Sequence, residues 1–117
     1  MRIHIIAFAL LAATQAQAAE LTITIPDNAD LTVERVNATY DCSGETLDVE
    51  YINAGPVSLA VFAYDGEPVV AANVLSASGA RYAGRQYIWW SKGADGSLYD
   101  LMQGEDAEPV LQCTGTQ

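Results

Sequence analysis

The chain has 117 residues, with 15 acidic and five basic side chains and a formal net charge of −10 at pH 7. This charge disfavours nucleic acid, whose phosphates would be repelled, and favours a cationic partner, unless the acidity only keeps an exported protein soluble. The length allows one domain with a single core, which excludes an enzyme with a separate cofactor domain.

The first eighteen residues are typical of an export signal. Arg2 supplies a positive start, residues 5–13 form an apolar run, and residues 16–18 (AQA) form a small-x-small cleavage pattern. The apolar run is too short to span a bilayer, and no cysteine directly follows it that could carry a lipid anchor. We therefore expect a signal peptide over residues 1–18 and a single soluble, periplasmic domain over residues 19–117.

The first half of this domain is predicted to form short strands separated by turns. Residues 46–51 are the clearest case, because apolar side chains recur there at every second position. Asp65 and Gly66 predict a tight type I′ hairpin, since both residues tolerate the positive φ that this turn requires. The strands predicted in this half are residues 21–25, 31–36, 46–51, 57–64 and 69–75.

The second half continues the same pattern. No segment outside the leader has a helical repeat with caps. About seven to nine short strands at this spacing predict an all-β sandwich or a small antiparallel β-barrel, and the barrel is favoured because closure removes exposed strand edges. The strands predicted in this half are residues 80–82, 87–91, 97–102 and 110–113.

Cys42 and Cys113 are the two cysteines of the chain, and both lie in the predicted exported domain. In an oxidising compartment two such residues usually form a disulfide. The chain-entropy gain for so long a loop is roughly 4 kcal/mol, against a total stability of about 5–10 kcal/mol for a small domain. A zinc site is not expected, because zinc needs four ligands at closer spacing.

The mature domain has few of the groups that catalysis uses. The single histidine, His4, lies in the predicted leader, which removes the commonest general base and excludes a Ser-His-Asp triad. The chain has no glycine-rich phosphate loop, and the acidic residues at positions 105–108 lack the spacing of calcium loops. We therefore expect no enzymatic activity, no metal and no cofactor.

Residues 76–98 form a basic, aromatic window in this acidic chain. The window holds three of the five basic residues, among them Lys92, the one lysine, and no acid lies between Glu67 and Asp95. On a strand over residues 87–91, Trp89 and Trp90 point to opposite faces, so one indole is expected in the core. Lys92 is expected on a rim loop, without an acid nearby in sequence to neutralise it.

Two linked motifs in this window resemble those of a known family. Residues 78–82, SGARY, fit the pattern Ser-Gly-x-x-Tyr, and residues 87–93, YIWWSKG, fit Tyr-x-x-x-Thr-Lys-Gly with a serine in place of the threonine. Both patterns are those of the lysozyme inhibitors specific for c-type lysozyme, in their membrane-bound and periplasmic forms. The similarity extends upstream through residues 40–42 and 49–53 and ends at Cys113.

The resemblance implies an eight-stranded antiparallel barrel closed by one disulfide, which inhibits c-type lysozyme by inserting a loop into its catalytic cleft. By the motifs, Ser78 and Lys92 match the family's inhibitory serine and lysine. The membrane-bound members carry an acylated cysteine after the leader, and the chain departs from them there, so it resembles a periplasmic form. The supporting positions in the same motifs are Gly79, Arg81, Tyr82, Tyr87, Ser91 and Gly93.

Two other functions fit the same window. A module that binds cell-wall glycan or another small ligand would use Trp89 or Trp90 as a stacking platform. A structural envelope protein would use the window only to fill one end of the barrel. A glycan-binding module would bind its ligand in the absence of lysozyme. In a structural protein, the removal of Lys92 would change no binding of any kind.

Overall fold

The computed structural model describes residues 9–12, 19–24 and 31–116. Most of the predicted leader, including its cleavage site, lies outside the described residues. The strand predicted for residues 21–25 is wrong over residues 21–24, which are exposed and carry no strand, and Ile25 lies outside the described residues. Among the residues described, none belongs to a helix long and apolar enough to cross a membrane.

Eight antiparallel strands form a closed barrel in which each strand pairs with its neighbours in the chain and the last pairs with the first. This confirms the predicted all-β barrel. A 3₁₀ turn, Leu101–Gln103, follows the seventh strand. The strands are β1 (Val33–Cys42), β2 (Glu45–Ala54), β3 (Val57–Tyr64), β4 (Glu67–Val74), β5 (Ala80–Gly84), β6 (Tyr87–Lys92), β7 (Asp95–Asp100) and β8 (Leu111–Gly115).

The connections between strands alternate between the two ends of the barrel, because every strand runs antiparallel to the one before it. The upper rim carries residues 55–56, 75–79 and 93–94, and the lower rim carries residues 43–44, 65–66, 85–86 and 101–110. The predicted hairpin at Asp65 and Gly66 is confirmed, since both residues have the positive φ of a type I′ turn, 52° and 75°.

The core fills the barrel with alternate side chains of each strand. Trp89 is fully buried at its centre, with its ring in contact with those of Tyr40 and Phe62, which answers the question of which indole is internal. Gly96 makes room for it, because a Cβ at that position would lie 2.3 Å from the Trp89 ring. The other fully buried large side chains are Val49, Val69 and Leu98.

Three polar atoms inside the barrel satisfy one another. The Trp89 indole donates from Nε1 to the Tyr51 hydroxyl at 2.8 Å, and that hydroxyl shares a hydrogen bond of 2.7 Å with the Tyr40 hydroxyl. Burial, followed by the contact with Tyr51, raises the pKa of Tyr40 well above its usual value, so this phenol stays neutral. The network fixes the orientation of the Trp89 ring, because turning the ring would leave its buried N–H without the hydrogen bond to Tyr51.

The predicted disulfide is confirmed. Cys42 and Cys113 are both buried and joined across 71 residues of sequence. They lie beside the seam at which β1 meets β8, where the register consists of two residue pairs, Tyr40 with Gly115 and Asp41 with Thr114. By contrast, β1 and β2 are paired over ten residues. The covalent bond therefore reinforces the shortest ladder of the barrel.

Candidate functional site

The two motifs of the window meet on the upper rim. Ser78 lies exposed in the connection between β4 and β5, and Lys92 lies exposed at the last position of β6. Between them, Arg81 on β5 stands directly opposite Trp90 on β6 in the strand register, and both side chains point outward. The four residues Ser78, Arg81, Trp90 and Lys92 are called the Trp90 cluster below.

Trp90 contacts the other three members of the cluster. Its Nε1 donates a hydrogen bond of 2.9 Å to the main-chain carbonyl oxygen of Ser78. The Lys92 ammonium lies 3.9 Å from the centroid of the indole ring, and the Arg81 guanidinium carbon lies 5.1 Å from it. At exposed sites such cation–π contacts contribute about 0.5–1 kcal/mol each. One half-buried side chain therefore joins the two motifs.

Gly79 allows the Ser78 connection to lie flat against the end of β6. Its φ is +65°, and a Cβ at this position would lie 2.5 Å from the Ser91 carbonyl oxygen and 2.7 Å from Cγ of Lys92. A main-chain oxygen in a paired strand does not move aside as the tip of a flexible side chain would. Glycine at position 79 is thus what brings Ser78 and Lys92 side by side.

Replacing Gly79 by alanine is expected to lower the free energy of unfolding by about 3 kcal/mol, from backbone strain together with the clash. Gly66→Ala is the matched control, because Gly66 has φ +75° but open space around its Cβ position. It is expected to lose only about 1–2 kcal/mol. Urea unfolding measures both variants. Equal losses would show that the connection does not pack tightly on β6.

The cations of the Trp90 cluster have no carboxylate partner among the described residues. Arg35 pairs with Glu50 and Arg85 with Glu67, whereas no acid of the described ranges lies within 4.0 Å of Arg81 or Lys92. Asp95 stands opposite Lys92 in the register of β6 and β7, yet the ammonium lies against the Trp90 ring instead. The cluster therefore holds two positive charges that are not paired with a carboxylate of the described residues.

The exposed hydroxyl of Ser78 completes this surface. Both hydrogen bonds that Ser78 receives, from Trp90 Nε1 and from the Ser76 hydroxyl, use its main-chain carbonyl oxygen. Its side chain is left to face solvent. The arrangement offers one neutral donor and two cations, which suits carboxylate groups on the opposite surface.

The remaining motif residues lie behind this surface. Tyr82 and Tyr87 are buried in the barrel, where their rings contact those of Tyr51 and Tyr64 respectively. Burial raises the pKa of Tyr82, with a smaller contribution from Tyr51. Ser91 is half-buried, and its side chain is directed at the hydroxyl of Tyr40 inside the barrel.

Gly93 has φ +57° and forms the turn between β6 and β7. The sequence pointed to Trp90 only as a possible stacking platform for a glycan and not as a contact of Ser78 and Lys92. A pattern that could have indicated this contact is the place of Trp90 two residues before Lys92 on the same outward face.

A shallow depression of about 230 Å³ lies beside the cluster on the outer face of β6 and β7. Lys92 and Asp95 stand at its upper edge, and two aromatic side chains flank it. The described residues contain no group of three or more His, Cys, Asp or Glu side chains that could hold a metal ion. The lining residues are Trp90, Lys92, Asp95, Gly96, Ser97 and Tyr99.

Residues 40–107 match the family described as membrane-bound lysozyme-inhibitor of c-type lysozyme. A Pseudomonas aeruginosa protein named membrane-bound lysozyme inhibitor of C-type lysozyme is 40% identical over 93 residues, which are 78% of this chain and 72% of that protein. A protein of the same name from Cupriavidus necator is 55% identical over 73 residues, 62% of this chain and 58% of its own length. The chain thus spans less than two thirds of this second relative.

Two solved structures share the fold. The Pseudomonas aeruginosa protein MliC, crystallised in complex with hen egg white lysozyme, superposes with a TM-score of 0.68 at 36% identity and covers 87% of this chain and 99% of its own. PliC of Salmonella typhimurium, a periplasmic lysozyme inhibitor of C-type lysozyme, superposes with a TM-score of 0.59 over 71% of this chain and 99% of its own. At 21% identity, this second likeness shows the fold alone.

Proposed function

Because the chain belongs to the family of membrane-bound lysozyme inhibitors of c-type lysozyme, we propose that it inhibits a c-type lysozyme by placing Lys92 and Ser78 in the catalytic cleft of that enzyme. The family is one of inhibitors and not of enzymes. The observation that carries the proposal is the meeting of both motif residues in a cluster whose cations have no carboxylate partner among the described residues.

The chemistry of the cleft explains why an ammonium and a hydroxyl would block it. Lysozyme cuts peptidoglycan with two carboxyl groups, one protonated as the general acid and one ionised. The Lys92 ammonium would pair with the ionised carboxylate, and the Ser78 hydroxyl would hydrogen-bond the second carboxyl group. Both inhibitor groups would then occupy the position of the substrate. The other motif residues are proposed to support these two groups, by shaping the rim or by packing behind it; they are Gly79, Arg81, Tyr82, Tyr87, Ser91 and Gly93.

The distribution of charge supports a cationic partner. The upper rim carries the Trp90 cluster, while the connections of the lower rim are flanked by carboxylates. The pKa of Tyr64 is raised by burial, then by Tyr87, and further by the nearby carboxylates of Asp65, Glu45 and Asp100. An acidic body speeds the encounter with a basic enzyme, and a basic site avoids repulsion in an anionic cleft.

An envelope location fits the relatives, which are named membrane-bound or periplasmic. We propose that the protein is exported, loses residues 1–18 and acts as a soluble periplasmic domain of residues 19–117. Mass spectrometry of the protein purified from the periplasm is expected to show a chain that begins within one or two residues of Ala19. An uncleaved or lipid-modified chain would contradict this location.

The proposal is tested by the lysis of bacterial walls by c-type lysozyme, with and without the mature protein. Lysis is expected to stop at about one inhibitor per enzyme and to stay inhibited at moderate salt, because a filled cleft is screened less than surface attraction. A lysozyme of another structural class serves as the control. Undiminished lysis with an excess of folded protein would refute the proposal.

The glycan-binding alternative has less support. Trp89 is fully buried, and the ring of Trp90 already carries Lys92 and Arg81. The Trp89 indole is therefore closed to a sugar ring, and a sugar that stacked on Trp90 would compete with two cations for that ring. A change of tryptophan fluorescence on adding wall fragments, in the absence of lysozyme, would favour this alternative instead.

A further inference from the structure

One side chain contacts the other three members of the Trp90 cluster. The indole of Trp90 binds the Ser78 carbonyl oxygen at 2.9 Å, and its ring lies 3.9 Å from the Lys92 ammonium and 5.1 Å from the Arg81 guanidinium carbon. We propose that Trp90 is the positioning residue of this site, which holds the Ser78 connection with its N–H and both cations with its ring before any partner arrives. This inference rests on the proposed function for its partner, but not for its geometry.

The groups held by Trp90 are ones that would otherwise be mobile. Ser78 lies in an exposed connection outside the strands, and Lys92 is the last residue of β6, with a side chain that has many rotamers. A free lysine loses this freedom when it binds, which weakens binding. Confining the ammonium on a ring beforehand removes that penalty from the binding step. The tighter the contact in the free protein, the larger is the gain.

The ring also explains how two like charges are kept together. Arg81 and Lys92 lie against the same indole, and neither has a carboxylate within 4.0 Å among the described residues. Nε of Arg81 is buried, and within the part of the chain that the structure describes it has no hydrogen-bond partner. The negative face of the indole compensates part of the repulsion between the charges of Arg81 and Lys92. Carboxylates of a partner would compensate the rest.

Two substitutions separate the two roles of Trp90. Trp90→Phe keeps an aromatic ring but loses the N–H, whereas Trp90→Leu loses both. In the free protein, NMR is expected to show the ε-methylene protons of Lys92 shifted upfield by the ring in the wild type and in Trp90→Phe, but not in Trp90→Leu. The order parameters of the amides at residues 77–79 are expected to fall from about 0.85 to below about 0.6 in both variants.

Binding to a c-type lysozyme supplies the second measurement. Trp90→Phe is expected to weaken it about fivefold and Trp90→Leu about thirtyfold, from the lost hydrogen bond and the lost ring. In combination with Lys92→Met, Trp90→Leu is expected to weaken binding by less than it does alone, about as much as Trp90→Phe, since the part of its effect that passes through the lysine is already lost. Thermal unfolding of each variant shows whether the fold is kept. We expect that it is, because Trp90 lies on the outer face of the barrel.

The outcomes are distinguishable. Unchanged Lys92 shifts and unchanged loop order in Trp90→Leu would overturn the inference, whether or not lysozyme is bound. Fully additive losses with Lys92→Met would overturn it too, because Trp90 would then contact the partner directly. If the wild type does not bind lysozyme while the NMR changes occur as expected, the proposed partner is wrong and the positioning role of Trp90 stands.

Discussion

Replacing Lys92 by methionine is expected to weaken the inhibition of a c-type lysozyme by about thirtyfold to several thousandfold, which corresponds to about 2–5 kcal/mol. Methionine keeps an unbranched apolar stem beside Trp90 and removes the ammonium. The loss is large because an ionised carboxylate in the enzyme's cleft would be buried without a partner. Inhibition constants from wall-lysis assays at fixed ionic strength measure the change directly.

Arg85→Met is the matched control for this variant. It changes the net charge by the same amount, but Arg85 pairs with Glu67 on the lower rim, roughly 20 Å from Lys92 along β6 at about 3.3 Å per residue. It is therefore expected to change inhibition by less than about threefold, since exposed ion pairs contribute little. If both variants lose the same amount, Lys92 acts only through overall charge, and its placement in the cleft is wrong. Ser78→Ala is expected to have an effect between the two.

Removing the disulfide is expected to lower the free energy of unfolding by about 4 kcal/mol, because the bond closes a loop across 71 residues. The double variant Cys42→Ala, Cys113→Ala tests this by urea unfolding against the oxidised wild type. A loss of this size is a large part of the stability of a small domain. The bond also lies beside the two-pair seam between β1 and β8, so the same variant is expected to open the barrel there first.

The reduced wild type is the control for the two side-chain truncations, and it is expected to unfold at nearly the same urea concentration as the double variant. The Trp90 cluster does not involve either cysteine. At urea concentrations below the unfolding transition, the folded variant is therefore expected to bind lysozyme with unchanged affinity. A variant as stable as the oxidised protein would contradict the loop-closure argument. A folded variant with lost affinity would show that the bond also shapes the site.

The strands were predictable wherever the sequence alternates or a turn is explicit. The predicted strand over residues 57–64 coincides with β3, and the hairpin at Asp65 and Gly66 follows it. β1 was recognised only in its first part, although its later residues also alternate, with Tyr40 and Cys42 inward. The strand predicted for residues 21–25 has the same local pattern, but β8 already pairs with β1 and leaves residues 21–24 no ladder to join.

The candidate site was predictable as residues but not as contacts. Ser78 and Lys92 follow from two short motifs, whereas the role of Trp90 depends on the register that sets Arg81 opposite it. The turn between these two strands, residues 85–86, fixes their register but lacks the Asn-Gly or Asp-Gly signal from which a hairpin can be recognised. The ion pair of Arg85 could not be predicted either, because its partner Glu67 is 18 positions away in sequence and contacts it only across the lower rim.

The longest connection of the barrel, residues 101–110, joins β7 to β8 on the lower rim, and most of it is exposed. Exposed connections of this kind tolerate insertions and chemical labels better than paired strands do. A dye, an affinity tag or a linker to a sensor chip attached there would leave the upper rim facing free solution. The protein could thus be immobilised in a single orientation, ready to capture an enzyme from a flowing sample.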